Sequence, residues 1–248
     1  NVLLKKWVGT YHLSFQHPLY LKFQGNKQHL MGILDTKNTL LESIRFHHIH
    51  STFEVEHQEK ITWDARFYTD NMKPWISGFY DAHQALGELH YTGHITPELT
   101  YKFKHFLPDW WETFFKQFHF NKSPPYTDFS LSFDTKDMLS LCYGYVSADN
   151  VLFKRSRIDR FHINFGNCPG YCWLRINDLK MQQKIGACEI HWPYGISNPQ
   201  KERWIFKGNG GFEVQEWVHL LEDFIGENKP FEQLKFFSPN AEIQSQFE

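Results

Sequence analysis

Along much of the chain apolar and polar residues alternate with a period of two, the spacing of a strand that buries one face. Between residues 48 and 56, Ile49, Phe53 and Val55 share a parity with Ser51, while His48, His50, Thr52, Glu54 and Glu56 hold the other. The pattern recurs where Phe161, Ile163 and Phe165 alternate with Arg160, His162 and Asn164. Further alternating runs are Trp63, Ala65 and Phe67, then Leu89 and Tyr91 with Gly93 and Ile95, and Phe129, Leu131 and Phe133. Two stretches change to helical spacing. One opens at Thr96 and Pro97, restarts at Pro108-Asp109 and carries a stripe of Trp111, Phe114, Phe115 and Phe118. The other covers residues 214–225, with Trp217, Leu220, Leu221 and Phe224 before a capping Gly226. Each run of strands is therefore expected to close with a short amphipathic helix that plugs the end of a sheet.

The alternation belongs to an internal repeat. Residues Gly32 to Leu41 line up without a gap on Gly144 to Phe153, and the same offset places Arg45, Phe46, Ile49, His50 and Phe53 on Arg157, Ile158, Phe161, His162 and Phe165. Asn38 falls on Asn150, and the buried parity is kept throughout. With small gaps the match extends to Trp63, Arg66, Met72 and Gly78 on Trp173, Arg175, Met181 and Gly186, and to Trp111 on Trp217. The segment Pro125–Asp134 matches Pro239–Glu248 in pattern. These matches predict a mainly β chain of antiparallel meanders: residues 1–17 as the tail of a preceding unit, residues 18–134 as unit 1 and residues 135–248 as unit 2.

Composition sharpens this without changing it. Aromatic residues make up 18% of the 248 residues, and their rings favour pleated surfaces. A formal charge of -2 gives no global field toward nucleic acid or an anionic membrane, so nucleic acid is not an expected partner. The chain opens at Asn1 without a signal-like segment and holds no apolar run of membrane-spanning length, so it is expected to be an internal segment of a longer protein.

Candidate chemistry is sparse. Cys142, Cys168, Cys172 and Cys188 leave free thiols, disulfides and a thiolate metal site all open, since the Cys168–Cys172 spacing matches neither a redox motif nor a zinc knuckle. On a strand His48 and His50 point the same way and can present two imidazoles to one ion, but no carboxylate stands out as a third ligand. They are expected to be solvent-face histidines, with no metal and no cofactor. Gly208-Asn209-Gly210-Gly211 lacks the phosphate-loop pattern and reads as a turn. Glu54 with Glu56, and Asp134 with Asp137, sit where solvated carboxylates are usual. No nucleophile elbow or zinc-protease helix is present, so the chain is not expected to be an enzyme.

The progression from Leu107-Pro-Asp-Trp-Trp-Glu-Thr-Phe-Phe through Pro124-Pro-Tyr-Thr-Asp-Phe129 to Gly144-Tyr-Val-Ser-Ala-Asp-Asn150-Val-Leu-Phe resembles units of AsmA-like and TamB-like proteins of the bacterial envelope. The likeness covers most of residues 18–248. It implies an elongated, curved sheet, β-taco or sandwich-like, whose apolar face carries or shields lipid chains in the periplasm. It also implies an inner-membrane anchor outside this chain and a role in lipid transfer or outer-membrane assembly. Phospholipid or other acyl chains and further repeats of the same chain are the implied partners. Ile49, Phe53, Val55, Phe161, Ile163 and Phe165 are the candidate residues of that face, whether as lipid groove or as packed core. The rival reading is a carbohydrate-binding or protein-interaction β-sandwich that exposes some of its tryptophans as a platform.

Overall fold

The structure, a computed structural model, describes residues 13–15, 20–26, 28–41, 44–70, 72–95, 117–120, 124–134, 140–154, 156–168, 170–193, 204–212, 216–217, 219–220 and 243–247. In chain order the strands are β1 (Leu13–Phe15), β2 (Tyr20–Gly25), β3 (His29–Leu41), β4 (Ile44–Glu56), β5 (Lys60–Tyr68), β6 (Trp75–Asp81) and β7 (Leu86–His94). They continue as β8 (Phe118–Phe120), β9 (Tyr126–Asp134), β10 (Ser140–Phe153), β11 (Ser156–Cys168), β12 (Tyr171–Met181), β13 (Lys184–Pro193), β14 (Trp204–Gly210) and β15 (Ile243–Phe247). The fold is mainly β and antiparallel. Two compact units divide the chain, Asn1–Phe106 with Thr127–Ser140, and Leu107–Tyr126 with Leu141–Glu248.

In the first unit β3 to β7 pair in sequence order, each with the next. The outer edge of β3 holds two strands end to end, β2 along Leu30–Asp35 and β1 along Thr39–Leu41. The second unit runs from β10 to β15 in the same manner, and β8 pairs with Val151–Phe153 of β10. Since Thr39 and Leu41 correspond to Val151 and Phe153, β1 and β8 occupy the same place in their units. Among the described residues the strands of each unit form an antiparallel meander within one sheet. Among the described residues neither carries the second facing sheet that a sandwich requires.

The repeat is clearest where the strands bend. Asn38 and Asn150, matched in the sequence, are both left-handed inside long strands, at φ 49° and 54°. Residues three apart on a uniform strand face opposite sides, yet Thr36 and Thr39 are both buried, as are Ala148 and Val151. The opposite strand answers at the same level, burying Phe46 with Ile49 and Ile158 with Phe161. Pairing stays in register on both sides of each asparagine. The hairpin thus changes the face it buries without losing a residue. Thr36 and Thr39 share a hydroxyl hydrogen bond of 3.0 Å across the bend, where the second unit has only apolar side chains.

Hairpin length corrects part of the gapped alignment. Glu56 faces Lys60 across a turn of three residues, whereas Cys168 faces Tyr171 across two, with Gly170 at φ 88°. One residue fewer flips the next strand. Trp63 stands opposite Phe53, but opposite Phe165 stands Leu174, and Trp173 lies on the other face, opposite Gly166. Leu174, not Trp173, is the counterpart of Trp63.

The second unit has a core of Val151, Phe153, Phe161, Leu179, Phe212 and Trp217 with their neighbours. Gly186 makes room for the last two: a Cβ there would lie 2.3 Å from the Phe212 ring and 2.9 Å from that of Trp217. Glu216, Trp217, His219 and Leu220 are helical, and the rest of the helix expected over residues 214–225 lies outside the described residues. The same holds for the helix expected from residue 97, except at its end. Phe118 is in β8 instead, its ring stacked on Phe153 at 4.5 Å, a burial that outweighs the helical spacing. Gly208 and Gly210 belong to β14 rather than to a turn, because a strand there pairs with β13 beneath Phe212 and Trp217. No helix among the described residues is long and apolar enough to cross a membrane.

The left-handed asparagines carry a testable cost. Asn150→Val is expected to destabilise the protein by about 1–2 kcal/mol, while Asn150→Gly stays near the wild type, because a β-branched side chain strongly resists that conformation and glycine has no Cβ to oppose it. Urea midpoints of the two variants check this, and equal midpoints would contradict it.

Candidate functional site

Strand alternation gives each unit two chemically different faces. On one face of the first unit, hairpin pairing sets Phe23, Gly32, Phe53, Trp63, Gly78 and Leu89 in one row across five partner contacts. The next row holds Leu30, Val55, Ile61, Tyr80 and Gly87. Gly32 is required here, since the Phe53 ring occupies the space a Cβ would take, and Phe23 meets that ring edge-on at 5.8 Å. Tyr80 stacks on Phe133 at 6.2 Å and Tyr91 on Phe129 at 5.5 Å, so β9 continues the same surface. The surface is predominantly apolar and only partly covered, with Phe23 57% and Ile61 41% exposed.

The six candidate apolar residues fall on two strands, three in each unit. Ile49, Phe53 and Val55 lie on one face of β4, Ile49 buried beside Thr36 and Phe67, and the other two half-buried. Phe161 and Ile163 are buried in the core of the second unit, and Phe165, opposite Gly144 and Leu174, is half-buried. Their common parity within each strand stands as the sequence placed it.

The opposite face is polar and crossed by ion pairs. Asp35, on β3, sits directly across from His50 and diagonally from His48 on β4. Its Oδ2 lies 3.0 Å from His48 Nε2 and 3.0 Å from His50 Nδ1. These hydrogen bonds, from His50 first and then His48, hold the Asp35 carboxyl below its ordinary range despite some burial. Tyr68 stacks on the His48 ring at 5.5 Å and fixes its plane. Farther along the same strands His29 contacts Glu54, with Glu56 beside them. On β5 and β6, Asp64 accepts from Trp75 Nε1 at 2.5 Å and lies 3.7 Å from Arg66. The second unit keeps the polarity with different groups, Arg160 on Asp178 and Arg175 on Glu189, each at 2.8 Å. The Glu189 carboxyl is lowered chiefly by Arg175 and secondarily by His191.

Asp35 is the residue that sequence reasoning missed beside the paired histidines. Its signal was a hairpin: only two residues join Leu41 to Ile44, and counting back from that turn brings Asp35 opposite His50. Cys142 and Cys188 are free thiols. Burial pushes the Cys188 thiol up to about 12 and the Cys142 thiol up to about 11, so neither is poised as a nucleophile.

No protein-family model, curated protein or solved structure matches the chain.

Two measurements follow from this chemistry. A carboxyl whose folded pKa lies below its unfolded value, near ~3.9, stabilises the fold above that value, and the contribution is lost as pH falls through the lowered one. Asp35→Asn is therefore expected to be less stable than wild type at about pH 6, with the gap closing below about pH 3–4; a gap unchanged by acid would place the loss in packing. For the thiols, peptide mapping after brief alkylation of the native protein should leave Cys188 unmodified and label it fully in urea. Rapid native labelling of Cys188 would contradict its burial.

Proposed function

We propose that the chain is a non-catalytic segment of a cell-envelope protein of AsmA-like type, in which the apolar sheet face shelters lipid acyl chains. The longer protein is then an array of such units, an elongated curved sheet with short amphipathic helices, held in the periplasm by an inner-membrane anchor outside this chain. Its work is lipid transfer between membranes or outer-membrane assembly.

One observation supports this reading above the others. The face of the first unit that carries Phe23, Phe53, Trp63 and Ile61 is apolar over several strands yet only partly covered, while the reverse face is charged. Water against such a surface is unfavourable by roughly 25 cal/mol per Å², and each methylene laid on it recovers about 0.8 kcal/mol. An acyl chain needs no directional partner, which suits a surface dominated by aromatic and aliphatic side chains. A sugar-binding platform fits less well. Sugar hydroxyls need polar groups beside the stacking ring, whereas Trp63 sits between Phe53 and Gly78 in an apolar row.

Site-specific photocrosslinking in the native host tests the reading. A photoreactive residue at Phe53 or Val55 is expected to give lipid adducts, and one at Thr52 or Glu54, which point to the other face, is not. Absence of lipid adducts at Phe53 and Val55 in folded protein, or equal adducts on both faces, would sink the proposal.

A further inference from the structure

The polar face of β3 and β4 carries a constellation unrelated to lipid. Three donors of the kind that bind transition metals converge there, one carboxylate oxygen and two imidazole nitrogens, all within 4.8 Å of one another. We infer that Asp35, His48 and His50 form a binding site for one divalent transition-metal ion, with Zn2+ the best match.

The geometry supplies the first argument. Zn2+ holds nitrogen at about 2.0–2.1 Å and carboxylate oxygen at about 2.0–2.2 Å in tetrahedral array, which places neighbouring donors about 3.3–3.5 Å apart. Asp35 Oδ2 already stands 3.0 Å from each imidazole nitrogen. A metal entering between them has to spread those two contacts by only a few tenths of an ångström, and the remaining histidine pair closes by side-chain rotation. The backbone is fixed by the hairpin: His48 and His50 are neighbours on one face of β4, and Asp35 is paired to His50 across the ladder. Tyr68 holds the His48 ring in place by stacking, as supporting groups do around metal ligands.

The donor set supplies the second. Two imidazoles with one carboxylate suit Zn2+ and its first-row neighbours, while Mg2+ and Ca2+ prefer oxygen alone. Arg66, across from His50 on β5, is the nearest cation on that strand, but it turns to Asp64 at 3.7 Å. Lys37, across from His48, is exposed. Asp35, His48 and His50 are half-exposed, which leaves an entry path and room for water in the remaining coordination positions. The other candidate group, His29 with Glu54 and Glu56, offers a single imidazole and an exposed glutamate. At the repeated positions the second unit has Ser147, Arg160 and His162, so the site belongs to the first unit alone. It lies on the reverse of the apolar face and stands or falls independently of the lipid reading.

The test uses the whole chain and Zn2+ alone, titrated against a chromophoric chelator and followed by histidine footprinting with diethyl pyrocarbonate. Expected are one Zn2+ per chain with micromolar or tighter affinity, and protection of His48 and His50 but not of His47, His57 or His29. His48→Ala and Asp35→Asn are each expected to weaken binding at least about tenfold, and His29→Ala to leave it unchanged. Because the footprint is read on the wild-type protein, a variant that fails to fold does not decide the matter. Failure of the wild type to bind, protection at other histidines, or unchanged affinity in folded His48→Ala would overturn the assignment.

Discussion

Everything in this molecule depends on strands having two faces and no third option. Consecutive side chains alternate, so the pairing register of each hairpin decides at once which residues meet and which side they meet on. In the first unit that rule puts Phe23, Gly32, Phe53, Trp63 and Gly78 in one row and Asp35, His50, Arg66 and Trp75 in another, on the reverse side. Neither group survives a slip of one residue. Such a slip would bring histidines and an aspartate to the apolar side and leave phenylalanines among polar groups, a cost that fixes the register.

The two left-handed asparagines work within that rule. A long hairpin of thirteen-residue strands would otherwise present one face along its whole length. Asn38 and Asn150 let each hairpin turn over partway, with both strands switching together and the ladder intact. Beyond the bend, β1 and β8 pair with the freed edge, so an outlying strand is gained where the face changes. Asparagine tolerates that conformation better than other non-glycine residues and still keeps a side chain.

The polar face shows how little sequence distance predicts chemistry on a sheet. His48 and His50 are two residues apart and were legible as a pair; Asp35 lies on the other strand of the hairpin and was not. The missing information was the turn, and the turn gave the partner. The match of Trp63 on Trp173 failed for the same reason, since a three-residue hairpin in one unit and a two-residue hairpin in the other place them on opposite faces. Residue identity suggested equivalence, and register withheld it.

Period-two alternation, the aromatic content and the gapless match of residues 32–53 on 144–165 were enough to establish by themselves a mainly β chain built of repeats, with Ile49, Phe53 and Val55 on one side of their strand and His48 and His50 on the other. Alternation is a local property, and the chain carries it openly. Only the tertiary structure decided that Phe118 is a strand residue stacked on Phe153, that Gly186 lies beneath Trp217, and that Asp35 completes a set with two histidines. Each of these depends on hairpin lengths and on contacts between residues remote in sequence, which no periodicity along a single strand contains.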